Sequence, residues 1–229
     1  EILSMKPSDP FFRLKQSLDG DVFTDQVQKV LYATDASSYR ELPQAVTRPK
    51  NKEDIRKIID FARENKTSVI PRAGGTSLAG QVVGHGIVAD ISKYMNKIGE
   101  LNLNENWVDV EPGVVLAELN QFLARYGLQF APETSTANRC CIGGMMGNNS
   151  CGLHSLIYGS TRDHILEVQG ILSDGSDAIF KALDLEEFNA KCNGDQQLLE
   201  TRIYRNIYET LTNELNQQEI RSEFPDPKV

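Results

Sequence analysis

Two glycine-rich stretches hold the residues of this chain that could do chemistry. The first is Pro71-Arg72-Ala73-Gly74-Gly75-Thr76-Ser77-Leu78-Ala79-Gly80, made of small residues, two hydroxyls and one cation. The apolar run Ser68-Val69-Ile70 feeds it, and a second such run, Gly86-Ile87-Val88-Ala89-Asp90-Ile91, follows soon after. A loop of this kind leaves backbone N–H groups without strand partners, and buried N–H groups need an acceptor. Glycine lets the backbone approach a ligand closely and reach positive φ without strain. Successive free N–H groups make a concave anion site, which a phosphate or pyrophosphate fits. The alternative is a tight surface turn between two strands.

The second stretch runs from Pro132-Glu133-Thr134-Ser135 to Asp163, about thirty residues with few periodic apolar positions, and irregular segments that long are usually functional. It contains Gly143-Gly144-Met145-Met146-Gly147-Asn148-Asn149-Ser150-Cys151-Gly152, then Tyr158-Gly159-Ser160-Thr161-Arg162-Asp163. Asn148 and Asn149 offer amide donors and acceptors in a charge-poor setting. That suits a polar heteroaromatic ring or a ribityl chain better than a metal. The alternative is a glycine-rich helix start packed close to a sheet, and both readings can hold together. Cys140, Cys141, Cys151 and His154 raise the question of a nucleophilic thiol, which needs an adjacent base. Sequence proximity of Cys151 and His154 does not establish that geometry. Adjacent Cys140 and Cys141 rarely bridge each other, and without a Cys-x-x-Cys pair zinc is not indicated. Free thiols in a reducing cytoplasm are the expectation for all four cysteines.

The elements that must carry these stretches can be read from periodicity. Residues 8–31 show near-helical spacing (Phe11, Leu14, Leu18, then Val27, Val30, Leu31), which Asp19-Gly20-Asp21 breaks into two short helices. Tyr32-Ala33-Thr34-Asp35-Ala36-Ser37 is a polar connection with Asx or Ser/Thr turns. Ala45-Val46 is extended ahead of Pro49. Asn51 caps an amphipathic helix carrying Ile55, Ile58, Ile59 and Ala62 on one face. Strand, helix, strand makes a small parallel α/β lobe. Trp107-Val108-Asp109-Val110 alternates as a strand, and residues 115–126 form a helix ended by Gly127. From Ile165 the pattern turns antiparallel, with Asp174-Gly175 as a hairpin signal. Residues 182–195 read as irregular, and Leu199, Ile203, Ile207 and Leu211 mark a long helix.

The bulk numbers exclude several classes. The chain has 229 residues, 40% hydrophobic and 24% charged, with a formal net charge of -8. No Lys/Arg cluster offers a nucleic-acid footprint. No apolar run approaches the roughly 20 residues of a membrane span. Glu1-Ile2-Leu3-Ser4-Met5 lacks the apolar core of a signal peptide, so the sequons Asn65-Lys66-Thr67 and Asn148-Asn149-Ser150 read as chance. Gly84-His85-Gly86-Ile87-Val88-Ala89 has the G-x-G-x-x-A form, but a dinucleotide fingerprint must follow a strand and open a helix. Here it opens a strand. No G-x-x-x-x-G-K-[ST] occurs, which excludes a P-loop NTPase.

Taken as an ordered set, these pieces resemble the FAD-linked oxidases of the p-cresol methylhydroxylase and vanillyl-alcohol oxidase type. They are most similar to the D-lactate dehydrogenase and glycolate oxidase branch. The matching parts are residues 32–37, the loop 72–80, Gly143-Gly144 through Gly152, Tyr158-Gly159 with Asp163, and the Asp174-Gly175 hairpin. The resemblance implies an α+β fold with FAD between two lobes, a small α/β lobe (44–100) and a larger one with an antiparallel sheet (101–229). An N-terminal helical segment (1–43) precedes them. The backbone of Arg72, Ala73, Gly74, Gly75, Thr76 and Ser77 is implied to cradle the pyrophosphate. Gly143, Gly144, Asn148, Asn149 and Gly152 are implied along the pyrophosphate, ribityl and flavin region, and Pro132 with the stretch near Asp163 and Ile165 toward the adenosine half. Pro71, Leu78, Gly80, Ser150, Tyr158 and Gly159 are implied as further cofactor-binding residues.

Some relatives attach FAD through a histidine in the first loop; residues 73–77 contain none, so non-covalent FAD is expected. The implied reaction oxidises a small 2-hydroxy acid by hydride transfer to FAD, with an electron acceptor the residues do not identify. Family members continue into a substrate cap, and the tail at Glu223-Phe224-Pro225 looks cut, so the chain is expected to be truncated and inactive alone. Competing readings are the FAD domain of a sugar or alcohol oxidase or a nucleotide-sugar reductase, and a non-enzymatic nucleotide-binding module. A metal-dependent hydrolase lacks a ligand cluster.

Overall fold

A computed structural model describes residues 9–224. The expectations for residues 1–5 and for the tail past Phe224 lie outside the described residues. The chain divides into two units, Glu1–Ile165 and Leu166–Val229.

The first unit opens with α1 (Pro10–Ser17), β1 (Asp21–Phe23) and α2 (Gln26–Leu31). Next come β2 (Ala45–Arg48), α3 (Lys52–Glu64), β3 (Val69–Arg72) and β4 (Ile87–Asp90). The four strands form one sheet in the order β1-β2-β4-β3. β2, β4 and β3 run parallel, as the strand–helix–strand pattern predicts, and β1 pairs antiparallel to β2. Asn51 caps α3 by accepting the Asp54 N–H at 2.9 Å. Ile58 and Ala62 of α3 then pack with Leu14, Leu18, Val22 and Ile87 in one core.

The break at residues 19–21 does more than separate two helices, because it leads into β1. The cause is Asp54, which is fully buried. Its carboxylate accepts the N–H groups of Asp19 (2.9 Å), Gly20 (3.0 Å) and Lys50 (2.9 Å). That draws the turn onto the N-terminus of α3 and delivers Val22 opposite Thr47.

Further along the same unit, β5 (Ile98–Asn102) and β6 (Trp107–Val110) pair antiparallel. α4 (Leu116–Leu123) continues into a 3-10 turn over Ala124–Tyr126. The long glycine-bearing segment is less irregular than its sequence suggests, since it contains α5 (Ile142–Asn148) and α6 (Ser155–Tyr158). Leu116, Leu119 and Leu123 of α4 bury against Ile142 and Met145 of α5, with Val114 and Cys140 beside them.

In the second unit, β7 (Glu167–Ile171) and β8 (Asp177–Lys181) form the expected antiparallel hairpin. α7 (Leu185–Cys192), α8 (Leu199–Thr212) and α9 (Glu214–Glu223) follow. Residues 182–195 are therefore not irregular. Asp184 and Glu187 close a reciprocal capping box that starts α7.

Candidate functional site

The first glycine-rich loop leaves the C-terminal end of β3, in the small parallel sheet. The second lies on and after α5. The structure brings the two against each other. A Cβ built on Gly74 would lie 2.3 Å from the Arg139 carbonyl oxygen, so no side chain fits there. A Cβ on Gly144 would lie 3.6 Å from the Ala73 side chain, in ordinary contact. Gln81, past the end of the first loop, donates its side-chain amide to Asn148 Oδ1 at 3.0 Å. The two bends thus pack against each other inside the first unit.

The first loop presents donors. Among the described residues, no acceptor takes the backbone N–H groups of Gly75, Thr76, Ser77 and Leu78. Gly75 has φ +64, and its missing side chain leaves room for the Arg72 guanidinium, 2.5 Å from where a Cβ would stand. Arg72 Nη1 donates to the Tyr32 carbonyl at 3.3 Å, and the guanidinium lies 5.2 Å from the centre of the Tyr32 ring. No carboxylate pairs with Arg72 among the described residues. Burial pushes its pKa down, by more than the charges of Asp35 and Asp90 and the Tyr32 phenol push it up.

Side chains around the loop hold it from below. Ser77 Oγ donates to Asp35 Oδ2 at 2.5 Å. Asp35 also accepts the Ser37 N–H at 2.8 Å. Burial alone would raise this carboxyl, but the bonds from Ser37 and Ser77 outweigh it and leave its pKa below the ordinary value. The Tyr32 hydroxyl donates to Asp90 Oδ2 at 2.5 Å and accepts from Arg48 Nε and Nη2. Burial, then Asp90, raises the Tyr32 pKa, so it stays a phenol. Gly80, at φ +75, packs on the ring of Tyr39.

On the facing side, Cys140, Cys141 and Ile142 are buried. Burial, then the neighbouring Cys140, pushes the Cys141 thiol up to about 11. A thiol that resists ionisation is a poor nucleophile. Cys151 is exposed, and all four cysteines are free. His154 Nδ1 lies 2.5 Å from Glu133 Oε2, so that imidazole is engaged with a carboxylate.

Several of the remaining predicted residues are linked by hydrogen bonds beyond α5. Asn149, at φ +46, accepts the Arg162 N–H through Oδ1 at 3.0 Å. The Ser150 carbonyl accepts from Thr161 N and Oγ1, and Asn148 Nδ2 donates to Ser150 Oγ. Gly152 sits so close to the Glu133 carbonyl that a Cβ could not exist there. Asp163 accepts from Ser160 N and Oγ and caps the turn Thr161–His164. Pro132 is buried nearby, and Ile165 is half-buried. Tyr158 lines a cavity of about 390 Å³ with Phe130, Glu133 and His154. Gly159 ends α6. Pro71 is exposed on β3, and Leu78 points outward at 80% exposure. Sequence reasoning passed over Asp35 and Gln81 as contacts of the loop. The acid was visible in residues 32–37, but its reach of 42 positions to Ser77 was not.

Among the described residues, no cluster of ligand side chains could hold a metal, and no helix is long and apolar enough to cross a membrane.

Comparison with known proteins points the same way. A family described as "FAD binding domain" matches residues 43–177, more than half of the chain. D-2-hydroxyglutarate dehydrogenase of Escherichia coli is 38% identical over 198 residues, which is 85% of this chain and 19% of that protein. Glycolate oxidase subunit GlcD of Bacillus subtilis is 32% identical over 149 residues, 64% of this chain and 32% of that one. The crystal structure of p-cresol methylhydroxylase superposes with a TM-score of 0.64 at 16% identity, over 74% of this chain and 34% of that one. The chain thus spans about a fifth to a third of these curated relatives.

Proposed function

The chain belongs to the FAD binding domain family, and from that premise we propose that it is the cofactor-holding part of a flavin-dependent oxidoreductase acting on a small 2-hydroxy acid. The substrate class comes from the names of the two bacterial relatives, since 2-hydroxyglutarate and glycolate are both 2-hydroxy acids. The observation that carries the cofactor assignment is the first loop, whose bend packs on the second at Ala73 and Gly144. It offers four unaccepted N–H groups and a half-buried guanidinium, the donor set a diphosphate requires.

In this reading residues 71–78 and Gly80, in the 44–100 lobe, cradle the diphosphate. Gly143, Gly144, Asn148, Asn149, Ser150 and Gly152, in the 101–229 lobe, line its other side and the ribityl and flavin end. Pro132, Tyr158, Gly159, Asp163 and Ile165 approach the adenosine half. When bound, FAD supplies the acceptor for a hydride from the substrate's α-carbon. The chain's own residues bind and orient it. None of them is assigned as the base for the substrate hydroxyl. Binding is non-covalent, because residues 73–77 contain no histidine. The four free thiols suit a reducing, cytoplasmic setting.

Titration with FAD tests the assignment. A visible flavin band that co-purifies with the chain, and leaves it on denaturation, is the expected result. Flavin retained by denatured protein overturns non-covalent attachment, and no binding at all overturns the cofactor assignment. With FAD added, D-lactate, glycolate and D-2-hydroxyglutarate are expected to turn over little on the 229-residue chain. Rapid oxidation of any of them would place the missing base within these residues.

A further inference from the structure

Residues 32–37 have no cofactor-binding role in the reading above, yet they touch the phosphate-type loop at two points. Tyr32 carries Arg72 on its ring and on its carbonyl oxygen. Asp35 accepts a 2.5 Å hydrogen bond from the Ser77 hydroxyl. Resting on the FAD reading above, we propose that Asp35 is a positioning residue for the diphosphate, acting through Ser77 to hold the 75–78 backbone with its N–H groups facing that ligand.

The sign of the charge makes this role specific. A carboxylate beside a diphosphate repels it, so Asp35 does not serve as a direct ligand. Its oxygens are occupied instead by Ser37 N–H and Ser77 O–H. Arg72 is the charged group that faces it. A bond from a hydroxyl to a carboxylate is about twice as strong as a neutral one. It ties the middle of a loop whose own N–H groups have no protein partner. Without that tie the 75–78 peptides are free to rotate, and binding must order them at an entropic cost.

This separates two effects in Asp35: accepting a proton and carrying a charge. Asp35→Ala removes both. Asp35→Asn keeps an acceptor oxygen for Ser77 and removes the repulsion. Flavin fluorescence titration of the 229-residue chain reads the affinity, and the 31P resonances of bound FAD read the diphosphate's surroundings. Asp35→Ala is expected to weaken FAD about tenfold and to shift the 31P lines, the size expected when one charge-assisted bond is lost. Asp35→Asn is expected to stay within about threefold of the parent. Ser77→Ala removes the same bond from the other side, and the double variant should lose no more than either single one. Equal affinity in all variants, or additive losses at Asp35 and Ser77, overturns the proposal. So does Asp35→Asn falling as far as Asp35→Ala. Failure of the parent chain to bind FAD is a different result, and it removes the cofactor reading along with this one.

Discussion

At the scale of single residues, the site is built from absences of side chains. Gly74 and Gly144 both face the opposite bend, but with different tolerance. A methyl on Gly74 would collide with the Arg139 backbone at 2.3 Å, so Gly74→Ala must push the loop away. A methyl on Gly144 meets only the Ala73 side chain at 3.6 Å. Gly144 lies in the first turn of α5, where alanine favours the helix by roughly 0.5–1 kcal/mol. Gly144→Ala is therefore expected to raise the thermal midpoint of the apo chain slightly while lowering FAD affinity, because the methyl enters the space the ligand needs. Thermal melts with and without FAD check the pair of opposite signs. A rise in both would move the ligand away from this bend. The glycines and Arg72 were legible in sequence because each has a type-specific use. Asp35 was not, since its partner is distant in the chain and a hydroxyl carries no positional signal of its own.

At the scale of elements, what the sequence hid were the pieces too short to show a period. α3 and α8 repeat their apolar positions over three turns or more, and both were readable from spacing alone. β1 has three residues, Asp21–Phe23, which no alternation can mark. α7 is polar enough to pass for a loop, and only its capping box, Asp184 with Glu187, declares it. β1 exists because a tertiary contact makes it: the buried Asp54 carboxylate gathers the N–H groups of Asp19, Gly20 and Lys50. Asp54→Ala leaves three backbone donors without that acceptor. The expected cost is about 3–5 kcal/mol, far above an exposed substitution. Denaturant melts should show that loss, and hydrogen exchange should show Val22 and its register partner Thr47 losing protection first. A loss below about 1 kcal/mol would mean that water replaces Asp54 at these donors without difficulty.

At the scale of the whole molecule, the problem is how an acidic chain binds an acidic ligand. The net charge of -8 repels a diphosphate at long range. In the FAD reading attraction is therefore local: N–H dipoles of the 75–78 backbone and the half-buried Arg72. Interactions with partly buried groups are screened weakly, whereas the repulsion between exposed charges is largely screened beyond about 8–10 Å at physiological salt. The two contributions therefore respond to salt in opposite measure. Raising the salt should remove the repulsion and leave the cradle intact, so FAD affinity is expected to hold steady or tighten by up to about twofold between roughly 0.05 and 0.5 M salt. A surface-cation site behaves in the reverse way and weakens steeply over the same range. Fluorescence titration across that series decides between them. A tenfold weakening would place the diphosphate on exposed lysines and arginines rather than between Ala73 and Gly144.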